Sequence, residues 1–120
     1  MQQYIGASRE EFFNTTDKHS AHYYGNIGVH VVATVSIIAF VEQCSGLLLA
    51  SIIPDNKVSV GTLVHIKHRL PASIGTVIRV CCTIIESNNN KIRFAVKAYD
   101  GERLLLEGSH GRVILSRDIF

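Results

Sequence analysis

Three side chains in this sequence stand where a reaction would need them. Glu42 is the only formally charged side chain between Lys18 and Asp55, and it lies in the most apolar stretch of the chain. An unpaired buried carboxylate is costly, so Glu42 needs a cation, a wet pocket or a catalytic role. The plain alternative is a position on a solvent-facing strip beside Gln43. His68 follows Val64 and Ile66 at strand spacing, which puts it on the apolar face. An inward histidine can move protons, though a lone one is more often a hydrogen-bonded core residue. Thr34 stands where an extended segment gives way to a helix. Free backbone N–H groups at such a point favour negative charge, and a hydroxyl there can hold a carbonyl or cap the helix.

Two glycine sites adjoin this set. Gly61 interrupts a strand, which marks a bulge or a close approach by a ligand. Gly108-Ser109-His110-Gly111-Arg112 sits in the last strand and reads as a tight contact or a bend. His65 and His68 point to opposite faces of their strand, and His19 and His22 lie in a loop without a second ligand pair. No metal site is expected, and no phosphate loop, nucleotide fingerprint, GxSxG or HExxH motif occurs.

The elements that must carry these residues follow from periodicity. Residues 22–32, rich in tyrosine and valine, read as a strand. From Thr34 or Ser36, both candidate caps, a helix runs to Ile53, apolar on nearly all sides and stopped by Pro54. Four strands follow as an antiparallel meander: 58–70, 76–87, 91–99 and 103–115. The three asparagines 88–90 and Asp100-Gly101 supply turns. Ile92, Phe94, Val96 and Ala98 share one face. A helix apolar all round needs a curved sheet on one side and a cover on the other. The expectation is an α+β hotdog fold, a curved antiparallel sheet wrapped around one long central helix, although the periodicity alone also admits other α+β folds with one helix on an antiparallel sheet. Residues 1–20 read as a polar N-terminal segment and 21–120 as a single domain.

Composition narrows the function. A 120-residue chain that is 47% hydrophobic and 18% charged has apolar surface for another subunit to cover, so a homodimer or higher homo-oligomer is expected. A net charge of +2 without a basic run argues against nucleic acid. The longest apolar stretch is broken by His30, Glu42, Gln43 and Ser45, which argues against a membrane span, and the N-terminus lacks a signal-peptide core. Cys44, Cys81 and Cys82 form no disulfide framework, so a reducing, cytoplasmic setting is expected.

With these residues in order, the chain resembles the fluoroacetyl-CoA thioesterase-like group of hotdog proteins. The likeness rests on Ala33-Thr34, Glu42, Val60-Gly61-Thr62, His65-Ile66-Lys67-His68, Gly75 and Gly108-Ser109-His110-Gly111-Arg112, and covers about residues 28–115. It implies hydrolysis of a small acyl-CoA, with CoA as part of the substrate and no separate cofactor. It also implies that Thr34, Glu42 and His68 are catalytic, with Gly61 and Arg112 at the substrate pocket. The expected roles are an oxyanion site at the helix start, Glu42 as base or nucleophile, and His68 as proton donor to the thiolate. The pocket is expected at a subunit boundary, with Lys67, Arg69 or Arg79 toward the CoA phosphates. The sequence departs from the group at Val35, where many relatives carry proline, and at Ser109. It has no aromatic residue from 26 to 35 to gate a very small acyl group, so fluoroacetate selectivity is not expected. The alternatives are a non-catalytic acyl-CoA or small-ligand binder and an enoyl-thioester hydratase.

Overall fold

A computed structural model describes residues 3–120; the first two residues of the polar N-terminal segment lie outside it. The helix α1 spans Thr34–Ala50, and the strands are β1 Ser8–Asn14, β2 Lys57–His68, β3 Val77–Asn88, β4 Lys91–Asp100 and β5 Arg103–Ser116. All pairings are antiparallel, in the order β1-β3-β4-β5-β2. One helix lies against one curved five-stranded sheet, which is the hotdog arrangement.

Alternation on the strands builds the core. Ile78, Val80, Cys82 and Ile84 of β3 and Ile92, Phe94, Val96 and Ala98 of β4 are buried. Ile37, Phe40, Val41, Cys44, Leu48 and Leu49 of α1 meet them at helical spacing. Fully burying a side chain such as Phe94 or Ile37 contributes roughly 1.5–3 kcal/mol. Three cysteines remain free, and the Cys44 and Cys82 sulfurs lie 3.4 Å apart within this core.

Three features differ from the sequence reading. The first strand is not residues 22–32 but Ser8–Asn14, inside the segment read as polar and separate. Its alternation of Arg9, Glu11 and Phe13 with exposed residues suits an edge strand, and it pairs with β3. Residues 22–32 instead turn at Gly25 and Gly28, whose φ angles of 100° and 86° leave the extended region. Only single bridges tie their end down, Ser20 to Val32 and Val31 to Ser73. The last four strands are also not a simple meander, because β2 crosses the sheet to pair with β5. Finally, α1 is not covered all round: Val35, Ala39, Glu42, Gln43 and Leu47 form an open strip.

Gly108 sets how closely β5 approaches β2. A Cβ at that position would lie 2.1 Å from the His65 carbonyl oxygen and 2.6 Å from the Ile66 Cα. Both neighbours are backbone, so neither yields cheaply. Gly108→Ala is expected to destabilise the fold by about 3 kcal/mol, the upper end of overpacking costs, in urea unfolding.

Candidate active site

The start of α1 is built by the loop before it. Ala33, not Thr34 or Ser36, occupies the cap position, and it offers no side-chain oxygen. The Ser36 hydroxyl turns back to donate to the His19 carbonyl at 3.0 Å, and Ala33 N–H donates to the same oxygen at 2.8 Å. Val32 N–H donates to the Ala72 carbonyl at 2.8 Å. These bonds pin the helix start against the β2–β3 connection. They leave the Thr34 hydroxyl free for another partner, and the Thr34 and Val35 N–H groups make no hydrogen bond among the described residues.

That partner is His68. Thr34 Oγ1 lies 2.7 Å from His68 Nδ1, joining the first residue of α1 to the last residue of β2. His68 is half-buried, and its Nε2 is shielded from solvent without a hydrogen-bond partner. A cleft of about 730 Å³ opens beside the pair, bounded by Tyr24, Val29, Val31, Val35, Leu70 and Pro71. Apart from Arg69, whose guanidinium is paired with Glu107, its rim carries no formal charge. Donors at the helix start, a hydroxyl and an imidazole thus converge on an apolar cleft, which suits a polarised carbonyl on a hydrophobic group.

Glu42 stands elsewhere. It lies eight residues along α1 from Thr34, about 12 Å along the helix axis. Its side chain is 48% exposed, on the open strip, and Oε2 lies 3.6 Å from Arg112 Nη1. At that separation the two form an ion pair without a hydrogen bond. The expectation of a partner for Glu42 and the expectation of a solvent-facing position both describe it. Within one chain, then, Thr34 and His68 come together and Glu42 does not join them.

Gly61 makes room for Glu42. A Cβ at Gly61 would sit 2.7 Å from Glu42 Oε2 and 3.2 Å from His110 Cε1, and the register of β2 slips between Gly61 and Leu63. The bulge expected at Gly61 is present, and the group that approaches it is the Glu42 carboxylate of the same chain.

Arg112 lies beneath α1, its side chain 9% exposed. Its Nε donates to Ser59 Oγ at 2.9 Å and Nη2 to the Ser59 carbonyl at 3.1 Å. Nη1 reaches the Glu42 carbonyl at 3.4 Å. Gly46 provides the space, since a Cβ there would meet the guanidinium at 3.3 Å. Burial pulls the Arg112 guanidinium below its ordinary range, and Glu42 opposes that pull. Arg112 also borders two smaller hollows, of about 240 and 390 Å³, but not the cleft beside Thr34 and His68. Of the three cations expected near CoA phosphates, Arg79 is on β3, separated from β2 by two strands, and is engaged by Glu10 and Tyr99.

Sequence reasoning missed His110 and Gly46 as parts of this cluster. His110 is fully buried, stacked against Phe94, between Arg112 and the Leu63 carbonyl. Its flanking glycines were a signal of tight packing. A glycine in mid-helix, costing about 1 kcal/mol against alanine, was the signal for Gly46.

A family model described as the fluoroacetyl-CoA-specific thioesterase, FlK, matches residues 15–118. The chain belongs to this family. Its fold superposes on the fluoroacetyl-CoA thioesterase FlK with a TM-score of 0.87 at 17% identity, covering 97% of this chain and 90% of that one. A thioesterase superfamily member from Thermus thermophilus gives 0.89 at 20% identity, over 99% and 89% of the two chains. A hot-dog-like protein from Thermanaerovibrio acidaminovorans gives 0.87 at 20% identity, over 96% and 85%. Among curated proteins no sequence matches. The family makes this chain an acyl-CoA thioester hydrolase.

Two outcomes follow from the Glu42 cluster. Gly61→Ala is expected to displace the Glu42 carboxylate from Arg112 and leave the fold intact by circular dichroism. The second concerns pH. Burial, reinforced by Arg112, pushes His110 below its ordinary value of 6.5, while the Leu63 carbonyl and Glu42 pull the other way. The unfolded chain then takes up this proton before the folded one, so this contribution to stability is complete above about pH 6.5 and falls as the pH drops toward the folded-state value. Urea unfolding across that range should show a steeper acid loss in the wild type than in His110→Gln.

Proposed function

We propose that this chain hydrolyses a small acyl-CoA as a homodimer, with Thr34 and His68 of one protomer facing Glu42 of the partner subunit. The observation that carries this reading is the 2.7 Å Thr34–His68 contact at a helix start with free N–H groups, bordering an apolar cleft. The thioester carbonyl sits at those N–H groups, which stabilise the oxyanion as it forms. The Thr34 hydroxyl and His68 imidazole lie beside it. The partner's Glu42 carboxylate either takes a proton from the water that attacks the carbonyl carbon, or adds to that carbon itself to give an anhydride, which water then hydrolyses to the free acid and the carboxylate. The C–S bond breaks, and His68 delivers a proton to the departing thiolate.

The need for a second protomer rests on distance and surface. Glu42 is about 12 Å along the helix from Thr34. The strip that carries it exposes Val35 and Leu47, and the neighbouring part of β2 exposes Leu63 and Val64. β2 is also an edge of the sheet, with one side of its backbone ladder unpaired. A two-fold related copy covers this apolar surface and brings each Glu42 toward the other chain's cleft. The acyl group enters the cleft beside Tyr24, and the nucleotide stays outside near Lys67 and Arg69. The compartment is the cytoplasm, where three unpaired cysteines persist as thiols.

Thiol release from a panel of acyl-CoAs tests the activity; His68→Ala and Glu42→Ala should each abolish it in folded protein. Mixing the two variants tests the shared site. A His68→Ala/Glu42→Ala heterodimer holds one intact pairing of the two, so about half of the wild-type rate per dimer should return. No recovery in a verified heterodimer would place all three residues in one chain's site.

A further inference from the structure

The buried group that this mechanism does not use is His110. Its environment specifies its protonation. Nδ1 lies 2.9 Å from the Leu63 carbonyl oxygen, which only accepts, so Nδ1 carries the proton and donates. Nε2 lies 3.3 Å from Arg112 Nη1, which only donates, so Nε2 presents its lone pair. The imidazole is therefore neutral, in the Nδ1–H form. A protonated ring would direct a second N–H at a guanidinium. The ring plane is held by Phe94, stacked at 5.9 Å and 26°.

The guanidinium that His110 engages reaches Glu42. Among the described residues Glu42 is the only carboxylate within ion-pair distance of Arg112. Ser59 takes Nε and Nη2, which leaves Nη1 to face both His110 Nε2 and Glu42. The Glu42 carboxylate itself is half-exposed and touches Gly61, where no side chain constrains it. Its placement thus depends on a cation held from behind. We infer that His110 is a positioning residue: as a neutral acceptor it orients the Arg112 guanidinium, which in turn holds the Glu42 carboxylate over Gly61. This inference rests on Glu42 acting in thioester hydrolysis. It assigns Arg112 to the support of the carboxylate, not to the acyl group.

The test compares His110→Phe, which keeps the ring and its packing but loses both polar atoms, with His110→Gln, whose amide oxygen can still accept from Arg112. With the best acyl-CoA of the panel, His110→Phe should lower kcat about 10- to 100-fold and leave KM within about three-fold. His110→Gln should recover most of that loss. In an Arg112→Lys background His110→Phe should cost less than about two-fold more, because the histidine acts through the arginine. Where His110→Phe does not fold, His110→Asn takes its place, being too short to reach Arg112. A kcat within two-fold of wild type for both Phe and Asn, or an undiminished loss in the Arg112→Lys background, would overturn the inference.

A second measurement is independent of turnover. The Arg112 Nε–H, bonded to Ser59, should exchange with solvent at least about ten-fold faster by NMR in His110→Phe or His110→Asn than in wild type or His110→Gln. Unchanged exchange would refute the orienting role even if the wild type released no thiol. Absence of thiol release from wild type, with exchange changed as expected, would instead count against the hydrolase reading.

Discussion

The molecule depends on how one helix is seated in a curved sheet. α1 buries Ile37, Phe40, Val41, Cys44, Leu48 and Leu49 against β3 and β4, and that contact fixes its rotation and its depth. Once it is seated, its first residue lies over the end of β2, and its middle lies over Gly61 and Arg112. The Thr34–His68 pair and the Glu42 carboxylate are both placed by the same rigid body. The apolar contact supplies the stability, while two small polar contacts, Thr34 to His68 and Arg112 to Glu42, tie the helix to the end of β2 and to β5.

The second constraint is the buried guanidinium. A cation shielded from water is costly unless its donors are satisfied. Here Ser59, His110 and Glu42 surround it, with Gly46 and Gly61 giving the space that any side chain would take. This explains why small residues, a buried histidine and a half-exposed carboxylate gather on three elements that meet only in the folded chain. It also explains why the carboxylate stands where it does without being buried itself.

Much of the architecture was legible. Alternation in residues 91–99 marked the inward face correctly, because a strand with one buried face has a period that no side-chain choice can hide. The helix was legible from its long apolar run between the candidate caps Thr34 and Ser36 and the stop at Pro54. Residues 22–32 misled because tyrosine and valine favour strands, whereas Gly25 and Gly28 permit the turns that the loop takes. The true first strand escaped because an edge strand buries little, and in Ser8–Asn14 three charged residues run into two phenylalanines, without the alternation of polar and apolar types that marks a half-buried strand. The crossing of β2 to β5 was invisible, since local sequence does not encode which neighbour a strand will choose.

For the site, the sequence alone determined the cast: a lone carboxylate in an apolar helix, an inward histidine on a strand, a threonine at the helix start and glycines at close approaches. These follow from costs that each residue carries with it, namely charge in an apolar setting, side-chain period and the missing Cβ. Only the tertiary structure decided the grouping. It paired Thr34 with His68, set Glu42 about 12 Å away along the helix, and placed Arg112 and His110 behind the carboxylate. Distances between elements arise from how whole faces pack, and no single residue carries that information.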